Sequence, residues 1–257
     1  MEVILSGTGT SQGVPVIGCD CTVCKSTDTH NVRLRTAAII QMSNGLNIQI
    51  DCGPDFRQQI LANDIHSLEH ILLTHEHMDH IAGMDDVRAF NFSNRVDMNV
   101  YGTGQVLARI RHHFDYAFSR VPYPGAPRIV TNVIDSNPFQ LNDVIVQPIP
   151  VWHGKWPVMG FRIGNFAYIT DVNAIPASSL ELLTELDVLV LGVLHQKQHH
   201  SHYHLEEGIK VAKLIGANRT IFTHISHQMG LHDEVSAELP TGIELGYDGM
   251  RIHVHQE

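Results

Sequence analysis

The chain has 257 residues, enough to bury a full core and most simply one domain over residues 1–257. Its formal net charge of −10, from 17 Lys+Arg against 27 Asp+Glu, argues against a general nucleic-acid binder, which needs a basic footprint. A small phosphorylated substrate stays open, because metal ions supply local positive charge whatever the global sign. No segment is long enough to span a bilayer, and the opening Met1-Glu2-Val3-Ile4-Leu5-Ser6 lacks a basic start, so neither membrane insertion nor a signal peptide is expected and the location expected is the cytoplasm.

In chain order, residues 2–6 read as a strand, followed by the loop Gly7-Thr8-Gly9-Thr10-Ser11-Gln12-Gly13. Thr36–Met42 and Leu46–Asp51 read as strands joined by the hairpin turn Ser43-Asn44-Gly45. Pro54 starts a short helix running to about Ala62. Ile71–Leu73 is a buried strand, and Asn99–Tyr101, Val144–Ile149, Val158–Ile163 and Phe166–Thr170 are further strands. Val121–Pro127 is an irregular loop, too short for a domain linker. Leu180–Glu185 reads as a helix and Asp187–Leu191 as an apolar strand. Leu205–Ile215 has helical period and is closed by Gly216. Thr220–Thr223 and Met250–Val254 are the last strands, so a strand-rich first part gives way to alternating strand and helix, with no fixed-period repeat.

The stretch Thr74-His75-Glu76-His77-Met78-Asp79-His80 carries the chemistry. A lone histidine is usually a surface or satisfied core residue; three imidazoles and a carboxylate directly after an apolar strand form a site. His75 and His77 project together from a tight turn, while Asp79 and His80 begin the next element and project toward a second point. One motif can therefore feed two metal ions, an arrangement suited to hydrolysis. A helical zinc protease motif needs H-E-x-x-H on a helix, and the spacing here is H-x-H-x-D-H after a strand.

This motif resembles the signature of the metallo-β-lactamase superfamily, which implies an α/β fold, a four-layer αββα sandwich. The resemblance also implies two further histidines and a bridging aspartate downstream. His153 follows the strand ending near Pro150, Asp171 ends Tyr168-Ile169-Thr170, and His224 ends Ile221-Phe222-Thr223. Each sits where an apolar strand stops, as His75 does, and strand ends along one sheet edge converge on one rim. The resemblance assigns His75, His77 and His153 to one metal and Asp79, His80 and His224 to the other, with Asp171 between them. Two divalent ions about 3.5–4 Å apart lower the pKa of a shared water toward about 7, so that it can attack phosphorus or a carbonyl. Mixed nitrogen and oxygen ligation suits manganese, zinc or iron without selecting among them.

The Asp79-His80 pair resembles that of phosphodiesterase and thioesterase branches, so lactam hydrolysis is not expected. Cys19-Asp20-Cys21-Thr22-Val23-Cys24 places three thiols within six residues, a reducing-compartment pattern that more often binds metal than forms disulfides. They can gather on one structural zinc with His227 as the expected fourth ligand, the competing reading being three unrelated buried cysteines. Cys52 stands alone and reads as core. In Ser201-His202-Tyr203-His204, His202 can lean over the site as a proton donor; His199, His200 and His204 compete with it by position, and a His-rich surface loop is the plain alternative. Arg88, on a helix after the motif, either clamps a substrate phosphate or pairs with Asp85 or Asp86.

Taken over nearly the whole chain, from Gly7-Thr8-Gly9 and Gln12-Gly13-Val14-Pro15 through Thr223–His227 to Tyr247-Asp248-Gly249-Met250, the sequence resembles the cyclic phosphodiesterases of the carbon–phosphorus lyase pathway. Their core is similar to that of ribonuclease Z without its long arm. This implies hydrolysis of 5-phosphoribosyl 1,2-cyclic phosphate or a 2′,3′-cyclic nucleotide, with His202 and Asp79 as catalytic side chains, two manganese or zinc ions and one structural zinc. The partner expected is a small phosphorylated substrate rather than nucleic acid; the branch admits a homodimer, for which no interface is legible. The competing functions are a tRNA 3′-processing nuclease, which needs a basic groove and an arm, and a non-catalytic accessory protein like the pyrroloquinoline quinone biosynthesis factor, which would alter the metal ligands.

Overall fold

The structure is a computed structural model describing residues 1–121 and 123–255. Two seven-stranded mixed sheets face each other. The first holds β1 (Glu2–Gly7), β2 (Ala37–Gln41), β3 (Asn47–Ile50), β4 (His70–Leu72), β5 (Met98–Gly102) and β6 (Ile129–Val133). The second holds β7 (Phe139–Leu141), β8 (Val144–His153), β9 (Trp156–Ile163), β10 (Phe166–Ile169), β11 (Val188–Gly192), β12 (Arg219–Thr223) and β13 (Ile243–Leu245). The last strand, β14 (Met250–His253), returns to the first sheet beside β1.

The layering follows from side-chain alternation along each strand. Val3 and Leu5 of β1 point between the sheets, where they join Phe161, Tyr168, Val188 and Val190 in one buried cluster. Their neighbour Ile4 points outward and packs with Phe56, Ile60, Val106 and Ile110, supplied by α1 (Phe56–Ala62) and by a later helix on the same face. Leu189 and Leu191 of β11 face outward on the second sheet, against Val235 and Ala212. Both faces of both sheets are thus covered, which is why strands such as Val188–Leu191 are apolar without interruption. The four-layer αββα sandwich expected from the sequence is the architecture observed. No helix among the described residues is long and apolar enough to cross a membrane.

The remaining helices are α2 (Met78–Ile81), α3 (Arg88–Ser93), α4 (Gly104–His113), α5 (Ala177–Leu180), α6 (Leu205–Ile215) and α7 (His232–Glu238). The helix expected over Leu180–Glu185 starts earlier, at Ala177 after Pro176, and tightens into a 3-10 turn over Glu181–Leu183. Pro176 holds an extended ψ of 153° that ends the preceding segment, and Glu185 with φ 58° breaks the helical path before β11. Helix α6 ends as expected, at Gly216 in the left-handed region with φ 72°. Pro122, within the loop expected over Val121–Pro127, lies outside the described residues, as do the last two residues of the chain.

Strand direction sets the site. Strands β3, β4 and β5 run parallel, as do β10, β11 and β12. Strand β8 is antiparallel to β9, and β9 to β10, so β8 runs with β10. The carboxyl ends of β3, β4, β8, β10 and β12 therefore open on one rim.

Candidate metal centre

The expected ligands sit at or after those strand ends, His153 as the last residue of β8 and Asp79 and His80 on α2 beyond β4, and the structure brings all seven together. The ligand atoms of His75, His77 and His153 lie within 4.8 Å of one another, as do those of Asp79, His80 and His224. Asp171 joins the two sets: its Oδ2 is 3.2 Å from His80 Nε2, and its Oδ1 is 3.3 Å from His224 Nε2 and 3.9 Å from His153 Nε2. Asp171 and His224 hold φ of 49° and 59°, and Asp51 holds 61°. Left-handed backbone at non-glycine residues is strained, and here it turns three side chains back over the rim at strand ends.

The hydrogen bonds decide which ring nitrogens face inward. His80 Nδ1 donates to Asp51 Oδ2 at 2.6 Å, leaving Nε2 buried with no hydrogen-bond partner. His153 Nδ1 donates to the Ser201 carbonyl at 2.8 Å. Thr74 Oγ1 has one proton, which goes to Asp51 at 2.9 Å, so the hydroxyl accepts from His75 Nδ1 at 3.0 Å. His75 Nε2 then presents a lone pair 2.9 Å from His77 Nδ1. Both nitrogens of buried His224 also lack hydrogen-bond partners. Ring nitrogens converging beside carboxylates form a donor set that divalent cations satisfy.

The electrostatics agree. Burial alone opposes charge on His80, yet the carboxylates of Asp79, Asp51 and Asp171 outweigh it and hold its pKa well above the imidazole range. The cluster is thus a trap for positive charge. His75 is held far below that range by burial, with His80 beside it.

Asp51 was not singled out from the sequence. It is fully buried and takes Thr74 N at 2.9 Å as well as the two contacts above. The signal was present, since Ile48-Gln49-Ile50-Asp51 is again an apolar strand ending in a carboxylate. Gly53 explains how this segment packs so close to the motif. A Cβ there would meet the Asp79 carbonyl oxygen at 2.0 Å. The Cys52 backbone also exchanges hydrogen bonds with His80 O and Gly83 N.

Of the histidines competing around residue 200, His202 is the one over the cluster. Its ring stacks on His224 at 4.8 Å and 16°, meets His153 edge-on at 4.5 Å, and puts Nδ1 3.9 Å from Asp171 Oδ1. Burial and the neighbouring His224 push its pKa down to about 2. His204 turns away to pair with Glu207 at 2.7 Å. Tyr203 fixes the loop by donating its backbone N–H to Val172 O at 2.8 Å.

The second cluster also forms. His227 Nδ1 lies 3.3, 3.4 and 3.5 Å from the sulfurs of Cys19, Cys21 and Cys24. The Cys24 N–H, together with His227, lowers the Cys21 thiol to about 6, as a thiolate ligand requires. Four donors of the Cys₃His type at this spacing fit one tetrahedral zinc. His224 and His227, three residues apart, thus fall in two different donor clusters. Arg88 pairs with Asp85 at 3.1 Å and stands half exposed on its helix. Cys52 is fully buried in the core beneath α1, as expected.

A family model described as Beta-lactamase superfamily domain matches residues 46–225. The chain belongs to the beta-lactamase superfamily. A solved structure described as a new diphosphatase from the PhnP family superposes with a TM-score of 0.92 at 37% identity, over 98% of this chain and 96% of that one. That likeness makes the chain a member of the PhnP family as well. A Porphyromonas gingivalis (strain ATCC BAA-308 / W83) protein named octanoyltransferase is 40% identical across 100% of this chain but 52% of its own length. The chain therefore spans about half the length of that relative, and the name belongs to the longer protein. A Mycobacterium sp. (strain KMS) ribonuclease Z is 24% identical across 80% of this chain and 85% of its own. The chain has the fold of this superfamily and, at its rim, donor clusters of the kind that hold metal ions.

Proposed function

We propose that the chain is a dinuclear phosphodiesterase that opens a cyclic phosphate, such as 5-phosphoribosyl 1,2-cyclic phosphate or a 2′,3′-cyclic nucleotide. The observation that carries this is Asp171, a single carboxylate reaching both the three-histidine set and the Asp79-His80-His224 set. Two divalent ions held by these residues would supply an activated water and positive charge for the phosphate. The names of the PhnP-family diphosphatase and the ribonuclease Z support phosphorus rather than carbon chemistry.

The chain's own residues account for the rest. Asp51 and the Ser201 carbonyl hold His80 and His153 in one tautomer, so no ring must reorient during turnover. His202, stacked on His224, is a neutral ring before substrate arrives. An anionic phosphate in contact with it favours its protonated form, and its ring N–H then donates to the leaving alkoxide. The net charge of −10 and the lack of a basic footprint weigh against a tRNA substrate.

The test is a substrate panel with protein reconstituted in manganese and in zinc. Hydrolysis of a phosphodiester and a cyclic phosphate, with a thioester and a lactam left intact, is the expected outcome. Thioester cleavage without phosphodiester cleavage would refute the proposal.

A further inference from the structure

On the open side of His77 and His153 lies a cavity of about 620 Å³, whose other walls include Lys155, Trp156, His200 and Ser201. That volume suits a nucleotide-sized ligand. The β8–β9 ladder explains how an indole comes to line it. Trp156 stands directly opposite His153 in the register, so the two side chains leave the sheet on the same face. His153 is 6% exposed, whereas Trp156 is 57% exposed. The ligand is buried on the cluster, and the indole stands free beside it. Trp152, next to His153 on β8, alternates to the other face.

The platform is held in place. Gly154, with φ 63°, makes the turn between the strands, and its N–H donates to Asn173 Oδ1 at 2.6 Å. Lys155 in the same turn is exposed and forms no ion pair among the described residues, and it is the only lysine or arginine of the cavity wall. A large aromatic side chain left open to water beside a catalytic centre, with an unpaired cation next to it, matches the way proteins hold a base and its phosphate: the ring stacks and the cation neutralises.

We propose that Trp156 is the specificity-determining residue of this site, stacking a nucleobase carried by the substrate, with Lys155 meeting an anionic group of the same ligand. This rests on the phosphodiesterase reading above and deepens it: among cyclic phosphates, the chain prefers those of nucleosides.

The experiment uses the metal-reconstituted full chain and two substrates, adenosine 2′,3′-cyclic phosphate and the base-free 5-phosphoribosyl 1,2-cyclic phosphate. A stacked base is sequence-tolerant and strongly felt on truncation, so W156A lowers the preference for the adenosine substrate about tenfold through KM, and W156F restores most of it. Independently of turnover, AMP quenches the fluorescence of Trp156 in a W152F background. K155Q weakens that AMP binding more at low than at high salt. A W156A variant whose substrate preference is unchanged, or a W152F protein whose emission ignores AMP, overturns the platform. If the wild type cleaves neither substrate, the phosphodiesterase reading fails instead, and the quenching measurement alone decides the platform.

Discussion

Replacing Asp51 with Asn should unload the metal centre without unfolding the chain, and should do so unequally. Asp51 Oδ1 receives Thr74 N at 2.9 Å, and an amide oxygen can keep that bond. Oδ2 receives His80 Nδ1 at 2.6 Å, and an amide NH₂ in its place points a proton at that nitrogen. His80 must then carry its own proton on Nε2, aimed at Asp79 and Asp171 oxygens 3.2 Å away, where an ion needs a lone pair. Loss of such an outer partner costs 10- to 100-fold in metal affinity, about 1.4–2.8 kcal/mol. The His75 set is affected less, because Thr74 still links it to an acceptor. The assay is metal content after dialysis against graded chelator, beside thermal unfolding of metal-stripped protein. D51N should lose one ion at chelator strengths where the wild type keeps two. Its stripped form should melt within a few degrees of wild type, because a buried charge whose ionised form burial opposes has been removed. Retention of both ions at wild-type strength would refute the tautomer argument.

Three further outcomes follow from the geometry. H202A should cut turnover by about 10²- to 10⁴-fold while leaving metal content unchanged; turnover within a factor of about two of wild type removes His202 from proton transfer. C21S should lower the melting temperature by about 5 °C or more, since Cys19, Cys21 and Cys24 tie the N-terminal loop to His227 at the active-site rim, whereas free thiols of no structural consequence would leave it unmoved. His232, pushed down to about 4 by burial and by Arg33, is a group whose folded pKa is depressed, so the stability tied to its neutral form is complete above about 6.5 and is lost as pH falls toward and through about 4. Urea midpoints at pH 7 and pH 5 should therefore separate less for H232Q than for wild type; an identical separation would show that His232 does not titrate with unfolding.

The sequence was most readable where chemistry sits at the end of a strand. His75, His153, Asp171 and His224 each follow an apolar run, and a run of that kind stops at the sheet edge whatever the tertiary detail. The three clustered thiols were legible for the same local reason. Asp51 has the same signature, yet its role depends on β3 pairing with β4 in a register that brings His80 to it, and no local pattern encodes that pairing. Trp156 became visible only through the β8–β9 register that sets it opposite His153. The choice among four histidines between 199 and 204 likewise needed the loop's anchoring at Tyr203. Helix α4 was missed although Val106, Leu107 and Ile110 are spaced for one buried face and Thr103 caps it, because a ten-residue amphipathic stretch competes with the strand pattern before it. The shifted start of α5 reflects Pro176, a stop for the segment before it rather than a break in the helix.

Phosphorus NMR of 5-phosphoribosyl 1,2-cyclic phosphate and adenosine 2′,3′-cyclic phosphate, each incubated with manganese-loaded protein, tests the central claim most directly. Conversion of a cyclic phosphate resonance to a phosphomonoester, absent in an H80A–D171N double variant, is the predicted result. Two unchanged spectra from protein shown to hold both active-site ions would contradict the account and return the site to carbon-centred hydrolysis.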